Sequence, residues 1–539
     1  MSDTSELPPS HALKQWVEAQ KALDHAIQHY LATTIVLRSS LECGVNPIEA
    51  QSVRQTLAKT WPNDPPIPDK HSKLAQAQPH LNRIRNSLLL VNTLPLELFL
   101  KIFRFAAFNT FHAQYRTPIP FSYQEDDHRH LLVLAHVCSH WRIILLNTPS
   151  FWSYFRLEPR YSLEAEYERS KEYFSRARGV PQSLSIYDYP DHKCLYPRHY
   201  NLINNIIGAR LDQLTQLALL NFQSIQLIAR TMTFLLNNGK PGVLRTLVIQ
   251  MGREILHHVP IYTGNATFVA ILGPIRTLSL RGITFAWDSP VYWNLLVLRI
   301  GSIPEVIAPT IGEMLGILSG CPLLHTLRLY GMEIRPSHLA TALKSVYLNE
   351  LEHLDLGLLP SESMNLLLPR IFPQHKNLTL RLSFPTWEVH DFTIIYPFLA
   401  RTNVTRLFID QCEGSESGSV LSQCVSALPN LHTLILDLSL RPGDTFVSGL
   451  IDYDESTTRY LPRCPQLHTV YFVTGSVSTG TIQQMVETHP MIRKLRFLAC
   501  HVEPFEDVLH DWLRPFVEDV KFDPRLDIAA LFDWYHLMI

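Results

Sequence analysis

The sequence predicts an α/β protein in which N-terminal helices and a short helical module precede a curved solenoid, with a parallel sheet on the concave side. Two patterns predict this order. Apolar residues recur at helical spacing in the first part of the chain, and a strand-like leucine pattern recurs at intervals of about 20 to 36 residues in the rest. The chain of 539 residues is long enough for such an elongated array.

Residues 1–91 are predicted to form an N-terminal helical region with a proline-rich break near 62–69. Apolar residues from Leu13 to Leu41 alternate in steps of three and four, which is typical of an amphipathic helix. A second such seam runs from Leu74 to Val91. An antiparallel hairpin and a dimerising coiled coil both fit, and polar interruptions in the first seam favour the hairpin. Self-association through these helices stays open.

The chain next becomes densely apolar over a short helical segment. Pro95 suits the first turn of a helix, and Leu98, Ile102 and Phe105 follow at helical spacing, so a helix is expected from about residue 96 to 108. A second helix is expected over about 131–145, where the same spacing returns. These helices carry more apolar surface than they can bury among themselves. A partner or the following domain must cover the remainder.

Residues 92–157 resemble an F-box, on several elements in the right order. They are Leu-Pro-x-Glu-Leu at 94–98, Ile-Phe at 102–103, Val-Cys-Ser-x-Trp-Arg at 137–142 and Thr-Pro-x-x-Trp at 148–152. The resemblance implies docking on the Skp adaptor of a cullin–RING ubiquitin ligase. The adaptor-binding residues that it implies are Leu94, Pro95, Leu98, Ile102, Phe103, Leu134, Val137, Cys138, Trp141 and Trp152. For Trp152, packing against the protein's own C-terminal domain is an equal alternative.

An insert at 109–130 departs from the compact form of the F-box. Its prolines and its charged run do not sustain a helix, so a loop is expected, and inserts of this kind are typical of the expanded fungal F-box families. Its acidic and histidine residues also raise the alternative of a metal site. Because metal sites need a specific number and spacing of ligands, a solvated loop is the favoured interpretation of Asp126, Asp127, His128 and His130.

Residues 158–502 are predicted to form the repeat domain, with a C-terminal cap over 503–539. A helix with acidic residues in its first turn and basic residues in its last is expected over 162–179, followed by the strand SLSIYDY. Eleven strand-like motifs then begin at Leu214, Leu244, Ile275, Leu295, Leu324, Leu351, Asn377, Val404, Leu431, Leu467 and Ile492. They resemble leucine-rich repeats, L-x-x-L-x-L, in an irregular form. Helices are expected between strands, for example in 337–348 and 481–489.

The residue between the second and third leucine of each motif is predicted to project from the concave wall. These residues align into one column: Val248, Ser279, Arg299, Arg328, Asp355, Arg381, Phe408, Ile435, Tyr471 and Arg496. The column is basic in its middle and apolar further on, as a protein-binding surface requires. The target-binding candidates are Arg299, Arg328, Asp355, Arg381, Phe408, Ile435 and Tyr471. A C-terminal tail folded over the apolar part is the alternative.

Composition excludes several classes of function. The chain has 47 basic and 49 acidic residues and a net charge of −2, so nucleic acid is not an expected partner. Its eight cysteines are scattered without a C-x-x-C pair, which indicates a reducing compartment. Neither a signal peptide nor an apolar run of about 20 residues is present. We therefore expect a soluble protein of the cytoplasm, the nucleus or both.

Catalytic motifs are missing from the sequence. Phosphate-binding loops, dinucleotide-binding turns, nucleophile elbows and metalloprotease helices are not found. The adjacent histidines His257 and His258 are expected to point to opposite faces of a strand, which does not favour a metal site. No enzyme activity and no cofactor are expected.

Together these patterns predict the substrate-recognition subunit of a Skp–cullin–F-box ubiquitin ligase, whose repeats bind an unknown target protein. The alternative is a repeat-protein scaffold outside the ligase system, whose F-box does not recruit a cullin. Co-purification with Skp and cullin subunits discriminates the two.

Overall fold

The structure is a computed structural model of the chain. It describes residues 9–42, 90–107, 127–157, 163–188, 200–252, 266–337, 344–375, 377–383, 392–410, 417–439, 443–456, 459–503 and 506–523. Two compact units, Met1–Pro95 and Leu96–Ile539, make up the chain. Their boundary falls inside the segment 92–157 that the sequence predicts as one module.

The described residues of the first unit include a long helix, α1, from Pro9 to Glu42. Its position agrees with the first apolar seam. A short 3₁₀ helix, Leu90–Thr93, ends the described part of this unit. The second seam, 74–91, lies almost wholly outside the described residues, and so does the choice between a hairpin and a coiled coil.

The second unit begins with three short helices, α2 (Leu96–Ala107), α3 (Asp127–Val137) and α4 (Ser139–Leu146). Where the sequence predicts one helix over about 131–145, the structure has two. They are separated by Cys138, which has extended backbone angles (φ −157°, ψ 168°) and caps α4 by accepting a hydrogen bond from the Trp141 N–H on its Sγ. Helix α3 also begins inside the expected loop 109–130. Residues 108–126 lie outside the described part.

A sheet of 14 parallel strands forms the body of the second unit, and its strands follow one another in chain order. They are β1 (Tyr154–Leu157), β2 (Gln182–Tyr187), β3 (Leu214–Phe222), β4 (Thr246–Met251), β5 (Thr277–Arg281), β6 (Val297–Ile303), β7 (Thr326–Met332), β9 (His353–Leu356), β11 (Leu378–Ser383), β12 (Val404–Asp410), β13 (Thr433–Asp437), β16 (Thr469–Val473), β18 (Lys494–Leu498) and β20 (Asp519–Asp523). Each of the eleven leucine motifs supplies one strand, and SLSIYDY supplies β2. Strand β20 extends the sheet past residue 502, into the predicted cap.

Helices and short 3₁₀ turns connect the strands. The helices are α5 (Leu163–Ala177), α6 (Tyr200–Gly208), α7 (Ile225–Asn238), α8 (Ala266–Leu272), α9 (Ile311–Ser319), α10 (Ser361–Leu367), α11 (Phe392–Arg401), α12 (Ser417–Ser426), α13 (Gly443–Val447), α14 (Thr479–Thr488) and α15 (Glu506–Leu513). The 3₁₀ turns are Pro149–Phe151, Pro290–Tyr292, Glu305–Ile307, Leu368–Arg370 and Ser448–Leu450. Helices α5 and α14 confirm the predictions for 162–179 and 481–489.

In the part of the chain that the structure describes, three pairs of short strands lie outside the main sheet. They are β8 (Val346–Leu348) with β10 (Ile371–Pro373), β14 (Ile451–Asp454) with β15 (Arg459–Pro462), and β17 (Ser476–Ser478) with β19 (His501–Glu503). Residues 338–343 of the helix predicted over 337–348 lie outside the described residues, but its last three residues, 346–348, form strand β8 rather than a helix. Its β-branched and aromatic residues pair with β10 instead.

The core lies between the sheet and its connecting helices. The second leucine of the repeat motif is fully buried in strand after strand, as Leu247, Leu278, Leu298, Leu327 and Leu354 show. Because every strand repeats the same spacing, each repeat buries its leucines against those of the next repeat, and the core is continuous. Among the described residues, no helix has the length and apolar character to cross a membrane.

Candidate protein-interaction sites

Helix α2 is apolar on two faces, and only one of them is buried. Phe99 and Phe103 are 1% and 0% exposed. Leu98, Ile102 and Phe105, at the spacing i, i+4, i+7, form a second stripe and remain 43%, 41% and 69% exposed. We call these three residues the apolar stripe.

An aromatic cluster holds α2 against the neighbouring helices. The ring of Phe103 lies 5.0 Å from Trp141 and 6.4 Å from Phe151, and Phe99 lies 5.4 Å from Phe103. Such tilted ring pairs stabilise the packing beyond the area that they bury. The cluster therefore fixes the orientation in which α2 presents the apolar stripe. It also corrects the assignment of Phe103 to the adaptor surface, because this side chain is enclosed by its own domain.

Trp152 is likewise an internal residue, 2% exposed. Its indole N–H donates to the Leu145 carbonyl at 2.8 Å, its ring meets Tyr173 edge-on at 4.9 Å, and the Arg176 guanidinium lies 4.5 Å from the ring centroid. Tyr173 and Arg176 belong to α5. Trp152 thus joins the helical module to the first helix of the repeats, which supports the alternative stated for this residue and removes it from the exposed docking residues.

The other predicted adaptor residues vary in exposure. Val137 is 55% exposed, whereas Leu134, Cys138 and Trp141 are half-buried. In the first unit, Leu94 is half-buried and Pro95 is exposed.

Five further apolar side chains of the helical module are exposed and are not among the predicted adaptor residues: Leu96, Phe105, Leu132, Val133 and Ile143, at 53%, 69%, 45%, 62% and 58%. Phe105 was visible in the helical spacing. The others occupy positions that periodicity alone does not mark as exposed.

The column of the concave wall is aligned as predicted. Strand register pairs each member with the next, from Val248 through Asp355 to Arg496. The same register continues to Arg156, Ser185 and Ala218 at one end and to Lys521 at the other. Leucine spacing therefore predicts the pairing of the column residues from β4 to β18.

Most of the column is buried, contrary to the expectation of an exposed wall. The target-binding candidates Arg299, Arg328, Asp355, Arg381, Phe408 and Ile435 are 6%, 3%, 2%, 0%, 0% and 2% exposed, and Tyr471 is half-buried. One cause of this burial is the strand register. Parallel strands lie about 4.8 Å apart, so large side chains at one level cover each other's flanks. The alternative of a C-terminal tail over this wall lies outside the described residues.

The basic middle of the column is an internal charge ladder. Asp355 Oδ2 lies 2.8 Å from Arg328 Nε, as an ion-pair contact without hydrogen-bond alignment, and 3.5 Å from Arg381 Nη1. The Arg381 guanidinium also lies 5.0 Å and 6.0 Å from the ring centroids of Phe408 and Tyr330. Buried charges need such partners. Arg328 and Arg381 are therefore buried, paired residues, which contradicts their prediction as exposed target-binding residues.

At the C-terminal end of the column, Arg496 pairs with Asp519 on the neighbouring strand. Its guanidinium contacts the Asp519 carboxylate and donates to the Asp519 carbonyl at 3.0 Å. The hydrogen bond from Arg496 lowers the pKa of Asp519. The pair links β18 to β20.

Within the described part of the chain, no group of three or more histidine, cysteine, aspartate or glutamate side chains has the arrangement to hold a metal ion. The side chains of Asp126, Asp127, His128 and His130 lie outside that part, as do His257 and His258.

The second unit is thus a parallel α/β repeat protein with a helical module joined to the start of its sheet. No protein-family model and no curated protein matches the chain. Among solved structures, it is similar to one of the Rad7 and Elc1 complex in yeast, with 12% identity over 89% of this chain and 99% of that chain and a TM-score of 0.36. A likeness this low leaves the function to be inferred from the chain's own residues.

Proposed function

We propose that this protein is the substrate-recognition subunit of a Skp–cullin–F-box ubiquitin ligase. The helical module docks on a Skp-type adaptor, the repeats bind a target protein, and other subunits carry the ubiquitin-transfer chemistry. The protein itself is non-catalytic and works in the cytoplasm, the nucleus or both.

The observation that carries this proposal is the apolar stripe of Leu98, Ile102 and Phe105. Three large apolar side chains on one helical face stay exposed, although Phe99 and Phe103 of the same helix are buried. Contiguous exposed apolar surface of this kind marks interaction sites in proteins. Leu98 and Ile102 are also residues on which the resemblance to the F-box rests.

The neighbouring helices α3 and α4 also carry exposed apolar side chains. Leu132, Val133 and Val137 of α3 and Ile143 of α4 are exposed as well. Apolar anchors near the centre of an interface commonly contribute about 2 kcal/mol or more each when a partner covers them. An adaptor that covers the stripe would gain its main binding energy from these residues.

The test is a binding measurement between the purified full chain and a purified Skp-type adaptor. Leu98→Ala combined with Ile102→Ala is expected to weaken binding by about three orders of magnitude, at about 2 kcal/mol for each residue. The matched control is Val306→Ala with Leu323→Ala, two apolar residues of the repeats that are 81% and 59% exposed. Undiminished binding by the first variant would remove the stripe from the interface.

A second readout separates the ligase subunit from the alternative scaffold. Cullin should co-purify with the wild-type chain and be lost with the Leu98/Ile102 variant. Adaptor binding without any cullin in the complex would favour the scaffold.

A further inference from the structure

A groove of about 870 Å³ opens where three neighbouring strands, β6, β7 and β9, end. Its apolar lining is formed by Ile334, Leu366, Pro336 and Pro360. The volume lies within the range of roughly 300–1,000 Å³ that is usual for ligand-binding sites.

Hydrogen bonds that are internal to the loops hold the walls of this groove. Arg335 forms two backbone hydrogen bonds of 2.8 Å with residues at the start of α9: Ile311 N donates to the Arg335 carbonyl, and Arg335 N donates to the Pro309 carbonyl. Arg335 Nε also donates to the Ala308 carbonyl at 2.8 Å, and Ile334 N donates to Ser363 Oγ at 2.8 Å. The groove is therefore formed in advance of any ligand.

Each of the three successive loops contributes one carboxylate to the groove: Glu305, Glu333 and Glu362. Burial raises the pKa of Glu333, and the nearby charges of Glu305 and Glu362 raise it further. Within the described part of the chain, none of the three forms an ion pair. The only basic side chain in the lining is Arg335, so the groove is negatively charged.

We infer that this groove binds a short basic segment of a partner protein in an extended conformation. Lysine or arginine side chains would place their charges among the three glutamates and lay their aliphatic stems along Leu366 and the prolines. The carboxylates come from adjacent strands of a sheet with a spacing of about 4.8 Å, so the groove spans roughly 10 Å and accommodates three or four residues of an extended chain.

This inference rests on the proposed function in one respect: it gives the chemical class of the target's binding segment. It replaces the concave column, whose candidates are mostly buried, with a surface that is open to solvent. Glu305 and Glu362 are exposed and Glu333 is half-buried.

The experiment measures binding of the peptide Ala-Lys-Ala-Arg-Ala-Lys-amide, labelled with fluorescein at its N-terminus, to the full chain by anisotropy at low salt. We expect saturable binding that weakens as salt is added, because opposite charges attract over the Debye length. The triple variant Glu305→Gln, Glu333→Gln and Glu362→Gln should bind at least tenfold more weakly. Loss of binding with this variant alone supports the groove.

The matched control neutralises three exposed glutamates elsewhere on the repeats: Glu350→Gln, Glu455→Gln and Glu487→Gln. It changes the net charge by the same amount and should leave peptide binding unchanged. Equal weakening by both triple variants would overturn the inference, because a general electrostatic field would then explain the binding. Absence of peptide binding to the wild-type chain, or its displacement by stoichiometric Mg²⁺ or Ca²⁺, would overturn it as well.

Adaptor binding keeps the two proposals distinguishable. Both glutamate variants should bind the Skp-type adaptor as the wild type does. Failure of the peptide experiment with intact adaptor binding rejects the groove alone, whereas failure of the wild type to bind the adaptor rejects the proposed function.

Discussion

Substitution of Asp355 by alanine should destabilise the middle of the repeat sheet strongly. The Asp355 carboxylate lies between the guanidinium groups of Arg328 and Arg381, and the three side chains are 3%, 4% and 0% exposed. Its Oδ1 also accepts a hydrogen bond from the Gly357 N–H at 3.0 Å. Alanine removes the negative charge and the hydrogen-bond acceptor, and it leaves the two positive charges of the arginines buried at the site.

The magnitude follows from the burial of the partners. Removal of one member of a buried ion pair commonly costs about 3–5 kcal/mol, because the remaining charge has already lost its hydration. The chain contains a matched exposed pair, Arg463 and Asp452, with 2.9 Å between Nη2 and Oδ1 and 26% and 56% exposure. For Asp452→Ala we expect a loss of about 0.2–1 kcal/mol.

Native-state hydrogen exchange is the appropriate assay, because a long repeat protein need not unfold in a single two-state transition. A loss of about 3 kcal/mol corresponds to exchange that is roughly a hundredfold faster in β7 (326–332) and β11 (378–383). Asp452→Ala should leave both strands protected. Equal protection in the two variants would refute the assignment of Asp355 as the counter-charge of the ladder.

Three other predictions follow from buried groups. Trp152→Ala should destabilise the junction between module and repeats by about 3–5 kcal/mol, whereas Trp293→Ala, at a position 51% exposed, should have little effect on urea unfolding followed by circular dichroism. Burial lowers the pKa of His489 in the folded protein, so the unfolded chain takes up the proton at higher pH. The stability that the neutral imidazole allows is present above about pH 6.5 and is lost as the pH falls. His489→Gln should therefore reduce the fall in the urea midpoint between pH 7.5 and pH 5.5. Burial raises the pKa of the Cys321 thiol to about 11 and that of the Cys464 thiol to about 12, which lowers the fraction of reactive thiolate. At pH 8, iodoacetamide should alkylate both thiols at least a hundredfold more slowly in the folded than in the unfolded protein. Mass spectrometry measures the two rates.

The sequence predicts strand register better than side-chain exposure. Identical leucine spacing in successive motifs aligns Arg299, Arg328 and Asp355 on adjacent strands. In parallel strands with the same spacing, only one register places the leucines of both strands in the core. Whether those side chains are exposed depends on what lies beside and opposite them. That information is not local, and the column is buried.

The helical module shows the same limit. Helical spacing places Leu98, Ile102 and Phe105 on one face, and the structure agrees. The sequence does not reveal that Phe103 and Trp152 are enclosed, because a motif residue that contacts a partner and one that fixes the module are equally apolar. The sequence also does not predict the break between α3 and α4, since a cysteine such as Cys138 is a weak signal for a helix cap.

No sequence motif predicts the groove at the ends of β6, β7 and β9. Glu305, Glu333 and Glu362 are 28 and 29 residues apart in the chain, and only the repeat brings them to adjacent loops. Once the register is known from the leucines, such positions can be compared directly between repeats.

The measurement that tests the central claim most directly is the affinity of the purified wild-type chain for a recombinant Skp-type adaptor, by isothermal titration calorimetry. The account predicts a complex of one adaptor per chain with a negative heat-capacity change, because the exposed apolar stripe becomes buried. An adaptor that gives no heat of binding and does not co-elute with the folded protein would contradict it.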